Sequence, residues 1–335
     1  EKEKQPGGML SYGIPEFRLP RDLLQLEIRN TIRLGVDLKT GVSIGSGEGD
    51  VKVTNLLREY DAVLLATGCA AAIPLPLRSI ESGEDVSSNV GSVENGLDFL
   101  MELHRGEQKR VGKRVAVVGA GFTALDCSRV AKRLGAEEVA IHIRTTEEYI
   151  PVTKDEIHEA KREGVSIHGL RTPVELLLDE TGRFRGVKFV QNRLGGWRSG
   201  GRRQAIPIEG SEFDEPCDTL LIAIGQKTVT DILDVQVDLD RWGNVRLGED
   251  GMTSIPGLFS AGDFVNGAST VVEAVGHARN LSVKMDAWLM GRERRKKVVK
   301  ISSVDEPLRQ RAFDFIPRQE MPTEPLSERV QSGGR

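Results

Sequence analysis

Residues Gly119-Ala120-Gly121-Phe122-Thr123-Ala124 are the part of this sequence best suited to chemistry. Gly119 permits a tight turn. Gly121, lacking a side chain, lets a pyrophosphate approach the backbone, and Ala124 is small enough for a following helix to pack on the preceding strand. The free amides and the dipole at such a helix start would hold the phosphate charge. An ordinary tight turn in an α/β protein has the same glycines, so the flanks must decide. Upstream, Val115–Val118 is an apolar, β-branched run with the composition of a strand buried on both faces. Downstream, a helical pattern runs to about Leu134, and a second strand follows over Val139–Ile143. Strand, glycine turn, helix, strand is the order a dinucleotide site needs.

The ribose end of such a site lies at the end of the second strand. An acidic residue there suits the 2′-hydroxyl of NAD, and an arginine suits the 2′-phosphate of NADP. Arg144-Thr145 stands at that position. Arg144 therefore favours NADP, the alternative being a solvated surface arginine.

The other elements are read around this unit. A helix over Leu23–Leu34 ends at Gly35, and short β-like segments fall near Val36–Leu38 and Val51–Thr54. Asp61–Gly68 reads as a buried strand running into a Thr-Gly turn at Gly68. Asp218–Gly225 repeats that logic with an exit at Ala223–Gly225, as a weak internal duplication. Residues 70–92 read as a connector, Val93–His104 and Lys154–Glu163 as helices, and Val165–Ile167, Pro173–Asp179 and Gly186–Gln191 as strands. Residues 192–212, rich in glycine and arginine, read as an exposed hairpin loop with solvated arginines. Ile255–Asp263 is a short strand ending in Gly262-Asp263. A helix capped by Ser269 then runs to about Met290. The basic run Arg292–Lys300 and the polar tail receive no function.

Bulk properties bound the class. The 335 residues favour two domains, and a formal net charge of −4 with 39% hydrophobic residues excludes a polyanion binder or a disordered chain. No apolar run is long enough to span a membrane, and no signal peptide is evident. Cys69, Cys127 and Cys217 form neither a CxxC nor a metal-ligand spacing. This argues for a reducing cytoplasm and against a redox disulfide or iron–sulfur site in this chain.

Taken in order, Gly7-Gly8-Met9, Gly13-Ile14-Pro15-Glu16-Phe17-Arg18-Leu19-Pro20, Ala66-Thr67-Gly68, the 118–127 loop, Ala223-Ile224-Gly225, Ala261-Gly262-Asp263 and Thr270–Ala274 resemble the glutamate synthase small-subunit-like flavoproteins. These carry two dinucleotide sites. The resemblance implies an α/β fold of two Rossmann-like, FAD- and NAD(P)-binding, three-layer domains. The NAD(P) domain (93–227) would be inserted in the FAD domain (1–92 and 228–292), followed by an extension (293–335). The first βαβ unit of the FAD domain, with its own glycine loop, would be missing. FAD would touch Glu1, Gly8, Met9, Arg18, Ile44, Gly68, Gly262, Asp263 and Val271. NADP, or NAD, would touch Gly119, Ala120, Gly121, Phe122, Thr123, Ala124, Arg144, Thr145, Ala223 and Gly225. The implied activity is NAD(P)H-dependent oxidoreduction: hydride passes to FAD, and electrons leave to iron–sulfur clusters or a partner subunit. No catalytic side chain or metal ligand is required of this chain. Phe122 and Thr145 depart from the polar and basic residues usual at those positions. A non-catalytic interaction or regulatory module that keeps the fold is the rival reading. Nucleic-acid and membrane partners are not expected.

Overall fold

A computed structural model describes residues 1–79, 92–198, 202–231, 233–292 and 322–331. The basic run over 293–300, most of the tail and residues 80–91 of the connector lie outside these residues. In chain order the elements are α1 (Gly8–Tyr12), α2 (Arg21–Ile32), α3 (Val53–Glu59), β1 (Val63–Leu65), β2 (Ala71–Ala72), β3 (Arg78–Ser79), β4 (Val93–Asn95) and α4 (Gly96–His104). Then come β5 (Arg114–Val118), α5 (Phe122–Arg133), β6 (Glu138–His142), a 3-10 turn at Glu147–Tyr149, α6 (Lys154–Arg162), β7 (Val165–His168), β8 (Arg171–Leu178), β9 (Phe184–Arg198) and β10 (Arg202–Pro216). Last are β11 (Thr219–Ile222), β12 (Gln226–Lys227), β13 (Leu258–Ser260), α7 (Asp263–Asn266), α8 (Val271–Met290) and α9 (Leu326–Gln331).

The central sheet is five-stranded and wholly parallel, in the order β4-β11-β5-β6-β7. Its middle strands are apolar at nearly every position because both faces are covered. On one face, Val115, Val117, Leu125, Val130, Val139, Ile141 and Leu221 pack with α4, α5 and α6. On the other, Ala116, Val118, Leu220 and Ile222 meet Leu176, Val187 and Phe189 of a mixed layer, order β10-β9-β8-β3, antiparallel except for the parallel β3–β8 pair. Helices, parallel sheet and mixed sheet make three layers.

A second unit is built on β1 and β13, which pair in parallel over Val63↔Leu258 to Leu65↔Ser260. Its core joins Val53, Val63, Leu65, Val237, Val245, Leu258 and Phe264. A two-stranded antiparallel ribbon, β2 with β12, links the units, and the Ile73 amide donates to the Gly225 carbonyl (3.0 Å).

Several sequence expectations are corrected. Val51–Thr54 is not a strand: Val51 makes one parallel bridge to Ile44 and the chain then turns into α3. The Asp234 carboxylate accepts from the amides of Val53 (2.7 Å) and Thr54 (3.2 Å), a distant cap invisible in local sequence. No strand forms at Val36–Leu38. Val93–Asn95 is a strand edge before α4 rather than its first turn. Residues 192–198 and 202–212 are not a loop but the outer half of a long hairpin, bulged between Pro207 and Glu212. The cap of α8 is Thr270 rather than Ser269. Thr270 and Glu273 form a reciprocal capping box, and the Ser269 hydroxyl donates to Asp263 Oδ1 (2.5 Å) instead.

Candidate functional site: a glycine loop at the carboxyl edge of the parallel sheet

β5 ends at Val118, and its neighbour β11 ends at Ile222. The next residues of both strands lie together at the carboxyl edge of the sheet, where open α/β sheets hold ligands. The Ala223 amide donates to the Val118 carbonyl (2.7 Å), and the Gly119 amide donates to the His142 carbonyl (3.2 Å). Gly119 has φ +152°, and a Cβ there would lie 2.1 Å from the Ala223 carbonyl oxygen. Only glycine fits. Gly121 differs: its backbone is ordinary extended chain, and a Cβ would meet nothing within 4 Å. That open space lies at the start of α5, where the first amides have no intrahelical acceptor. The first turn of α5 carries no acidic residue to oppose an anion, and Ala124 is fully packed below. The loop has the shape and charge of a pyrophosphate cradle.

Arg144 is exposed where β6 ends, followed by half-buried Thr145. Two contacts fix this exit: Asn192 Nδ2 donates to the Arg144 carbonyl (3.0 Å), and the Leu170 amide donates to the Thr145 carbonyl (2.8 Å). Gly119–Ala124, Ala223, Gly225, Arg144 and Thr145 thus line one sheet edge.

A second cluster forms at the ends of β1 and β13. The Ala261 amide donates to the Leu65 carbonyl (3.1 Å), joining the strand that runs to Gly68 with the one that runs to Gly262-Asp263. Gly262 has φ +68°, and its amide donates to His277 Nδ1 (3.2 Å). Val271, 46% exposed, opens α8 two residues after Ser269, whose hydroxyl bonds Asp263. Next to Gly68, the Cys69 thiol lies among Thr228, Ala268 and Asp263, and burial raises its pKa. The remaining residues named from the resemblance are dispersed. Glu1 joins the segment before Ile44: its terminal amine donates to the Lys39 carbonyl (3.1 Å), its carbonyl accepts from the Val42 amide (3.0 Å), and its Oε1 accepts from the Glu3 amide. Gly8 and Met9 lie in α1, and Ile44 packs on the core of the second unit.

Arg18 lies on the nucleotide helix. Its Nε is 2.9 Å from Asp126 Oδ1 of α5, its Nη2 donates to Glu156 (2.7 Å) of α6, and its guanidinium carbon is 5.1 Å from the Phe122 ring centroid. The Asp126 contact is an ion pair without hydrogen-bond alignment. Burial pushes the Asp126 carboxyl up to about 6 even with Arg18 beside it. The network continues through Arg129, which pairs with Glu156 and with Glu163 (2.7 Å), to Arg133 on Glu163 (2.5 Å). Phe17 lies under the guanidinium groups of Arg129 and Arg133 at 4.5 and 3.9 Å. Arg329 of α9 closes the chain of charges on Glu159.

On the opposite sheet face His142 is buried against Phe189, with ring centroids 4.3 Å apart. Burial and then Arg171 pull its pKa down to about 3. The three cysteines are separate, buried and unpaired, and burial raises the pKa of each thiol. Among the described residues no group of His, Cys, Asp and Glu has the arrangement of a metal site. No described helix is long and apolar enough to cross a membrane.

With this geometry in view, comparison with known proteins is informative. The pattern of the pyridine nucleotide-disulphide oxidoreductases matches residues 5–278. The chain belongs to this family. The chain is 39% identical over 285 residues to the NADP(+)-dependent formate dehydrogenase subunit beta of Moorella thermoacetica, covering 84% of this chain and 39% of that protein. It is 30% identical to the glutamate synthase [NADPH] small chain of Escherichia coli K12, over 86% of this chain and 62% of the relative. The chain thus spans about half the length of these curated relatives. FprA of Mycobacterium tuberculosis, solved in complex with NADPH, shares its fold at a TM-score of 0.69 and 16% identity, over 88% of this chain and 79% of FprA. The architecture is that of FAD/NAD(P) oxidoreductases with Rossmann-like units.

Proposed function

We propose that this chain is the NAD(P)H- and FAD-binding part of an oxidoreductase that passes hydride from NADPH to FAD and electrons onward to a partner subunit or iron–sulfur clusters. The observation that carries this reading is the Gly119–Ala124 loop, whose open face at Gly121 meets the start of α5 in a chain of this family. The loop amides would bind the pyrophosphate and Arg144 the 2′-phosphate, favouring NADP over NAD. Ala223 and Gly225 would bound the nicotinamide end. Gly68, Gly262, Asp263 and the start of α8 would hold the flavin, with Glu1, Gly8, Met9 and Ile44 approaching it from the amino-terminal segment. Arg18, anchored on Asp126 and Glu156, would reach the flavin from the nucleotide helix. We divide the chain into an NAD(P) domain over 93–227 and a flavin domain over 1–92 and 228–292.

Hydride transfer between nicotinamide and flavin is the chemistry the two cofactors supply when bound. The chain's part is to bind, orient and keep water away, with no nucleophile or acid–base pair of its own. Buried, unpaired thiols suit a reducing compartment, and we place the protein in the cytoplasm. The name of the Moorella relative, a subunit, supports a partner for this chain too.

The test is an absorbance spectrum of the purified chain with added FAD, followed by anaerobic NADPH or NADH. A flavin band that bleaches faster with NADPH is expected. A chain that binds nucleotide while its flavin never bleaches would replace this reading with that of a non-catalytic module.

A further inference from the structure

The sequence supplies one basic residue at the ribose position, Arg144, followed by Thr145. A phosphate monoester carries a charge of about −1.5 to −2 at neutral pH. The next residues, Glu147 and Glu148, are acidic. Glu147 is matched by Lys161, whose Nζ donates to both its carboxylate oxygens at 2.7 Å. Glu148 is exposed. A 2′-phosphate here needs a second cation.

The long β9–β10 hairpin brings one. Its inner end is tied to Arg144 by buried Asn192, which bonds the Arg144 carbonyl and also Thr172 (2.8 Å). Five residues further out, the Trp197 ring meets Tyr149 edge-on, with centroids 5.7 Å apart and planes at 86°. Tyr149 is itself five residues beyond Arg144. The segments 144–149 and 192–197 therefore flank the same strip, whose hairpin side is about 16 Å long at ~3.3 Å per strand residue. That length accommodates a nucleoside with its phosphates.

Trp197 is 63% exposed, and its cross-strand partner Arg203 places its guanidinium carbon 5.2 Å from the indole centroid. Arg203 Nε and Thr146 Oγ1 are buried atoms with no hydrogen-bond partner in the protein. A further sign is strain. Leu170 holds φ +58°, which costs a non-glycine residue about 1–2 kcal/mol. Its amide bonds Thr145 and its carbonyl accepts from Asn192 (2.8 Å), so this bend clamps the base of the hairpin to the exit of β6. Such strain persists where surrounding structure enforces it, often at ligand sites.

We propose that the outer part of the described hairpin, around the Trp197–Arg203 pair, is the outer wall of the adenosine 2′-phosphate subsite. Trp197 stacks on the adenine, Tyr149 backs the indole, and Arg203, at the outer end of the strip, is the second cation, reaching the 2′-phosphate from the end away from Arg144. The inference rests on the nucleotide reading above. It makes specificity for the phosphorylated ribose a joint property of one strand end and a distant hairpin.

The test uses 2′,5′-ADP and 5′-AMP as probes on the whole chain, with dissociation constants from calorimetry. Arg203→Gln should weaken 2′,5′-ADP by about tenfold, the loss of one charge-assisted bond. It should leave 5′-AMP within about twofold, and Arg203→Lys should restore part of the loss. Trp197→Ala should weaken both probes alike, by about fivefold or more, as loss of a stacking wall requires. In a Trp242→Phe/Trp288→Phe background, Trp197 is the sole tryptophan. Its fluorescence should then change when 2′,5′-ADP binds. Parental affinity for 2′,5′-ADP in both the Arg203→Gln and Trp197→Ala variants would overturn this inference and leave the nucleotide site standing. Failure of the parent chain to bind 2′,5′-ADP or NADPH at all would overturn the nucleotide reading itself. Arg144→Ala separates these outcomes further: it should lose 2′,5′-ADP whether or not the hairpin takes part.

Discussion

Two glycines two residues apart should fail in different ways when replaced by alanine. At Gly119 a methyl group would lie 2.1 Å from the Ala223 carbonyl oxygen and 2.7 Å from its carbonyl carbon, and both are backbone atoms. Ala223 cannot retreat cheaply because its amide is bonded to Val118. Overpacking of this kind costs about 1–3 kcal/mol. A side chain at φ +152° adds about 1–3 kcal/mol more. Gly119→Ala should therefore destabilise by roughly 2–6 kcal/mol, a large part of a typical folding stability of about 5–15. At Gly121 the backbone suits any residue and the methyl group would meet open space, so Gly121→Ala should stay within about 1 kcal/mol of the parent. That methyl group would occupy the position of the approaching phosphate, and NADPH affinity should drop by at least about tenfold, or ~1.4 kcal/mol. Urea denaturation gives the first quantity and calorimetric titration with NADPH the second. A Gly119→Ala protein of parental stability would refute the packing argument. A Gly121→Ala protein that binds NADPH as tightly as the parent would refute the phosphate cradle.

Further outcomes follow from the buried charges. Glu163 is fully buried beneath Arg129 and Arg133, so Glu163→Gln should cost about 3 kcal/mol in urea denaturation because it leaves two cations short of a partner. Two groups should act oppositely on the pH profile of stability. His142, with its pKa pulled down to about 3, binds its proton more readily when unfolded, so it removes stability as pH falls below about 6.5. Asp126, with its carboxyl pushed up to about 6, binds its proton more readily when folded, so it removes stability as pH rises from about 4 to 6. Each effect amounts to about 3 kcal/mol across pH 4–6.5 and they largely cancel. Denaturation at several pH values should show His142→Phe with stability falling as pH rises and Asp126→Asn with stability rising. Parallel profiles for parent and both variants would refute these assignments.

The parts legible in the sequence are those whose cause is local. The β5–α5–β6 unit follows from an apolar run, two glycines and helical spacing, and the structure sets it at Arg114–Val118, Phe122–Arg133 and Glu138–His142. Lys154–Arg162 and Val165–His168 were equally readable from their periodicity. The outer hairpin was not. Its glycines and arginines suggest a loop, yet cross-strand pairing such as Arg193↔Ile206 and Trp197↔Arg203 keeps it extended. Two isoleucines two positions apart, Ile206 and Ile208, were the available sign, obscured by the bulge beyond Pro207. Val63–Leu65 reads as buried on both faces, but Leu64 is 43% exposed because the described residues cover only one side of the β1–β13 pair. Nothing local could have shown that Asp234, some 180 residues away, caps α3.

Arg18 shows most clearly what a recognised motif leaves open. Its segment is distinctive by residue type, but residue type does not say which surface the arginine meets. That is decided by charge complementarity with side chains over a hundred positions away. Asp126 and Glu156 present two carboxylates at the meeting of α5 and α6, and neither side chain could be buried there without a cation. Phe17 is drawn in beside Arg18 because Arg129 and Arg133, already committed to Glu163, offer their guanidinium faces to an aromatic ring. Arg329 adds a further cation on Glu159 from the other end of the chain. The body of α5 is thereby fixed from outside its own sheet by segments near both ends of the sequence. The first turn of α5 carries none of these ion pairs and no acidic residue. A rigid helix body with an unopposed amide end is the arrangement an anion site requires, since the donors are held in place before the ligand arrives.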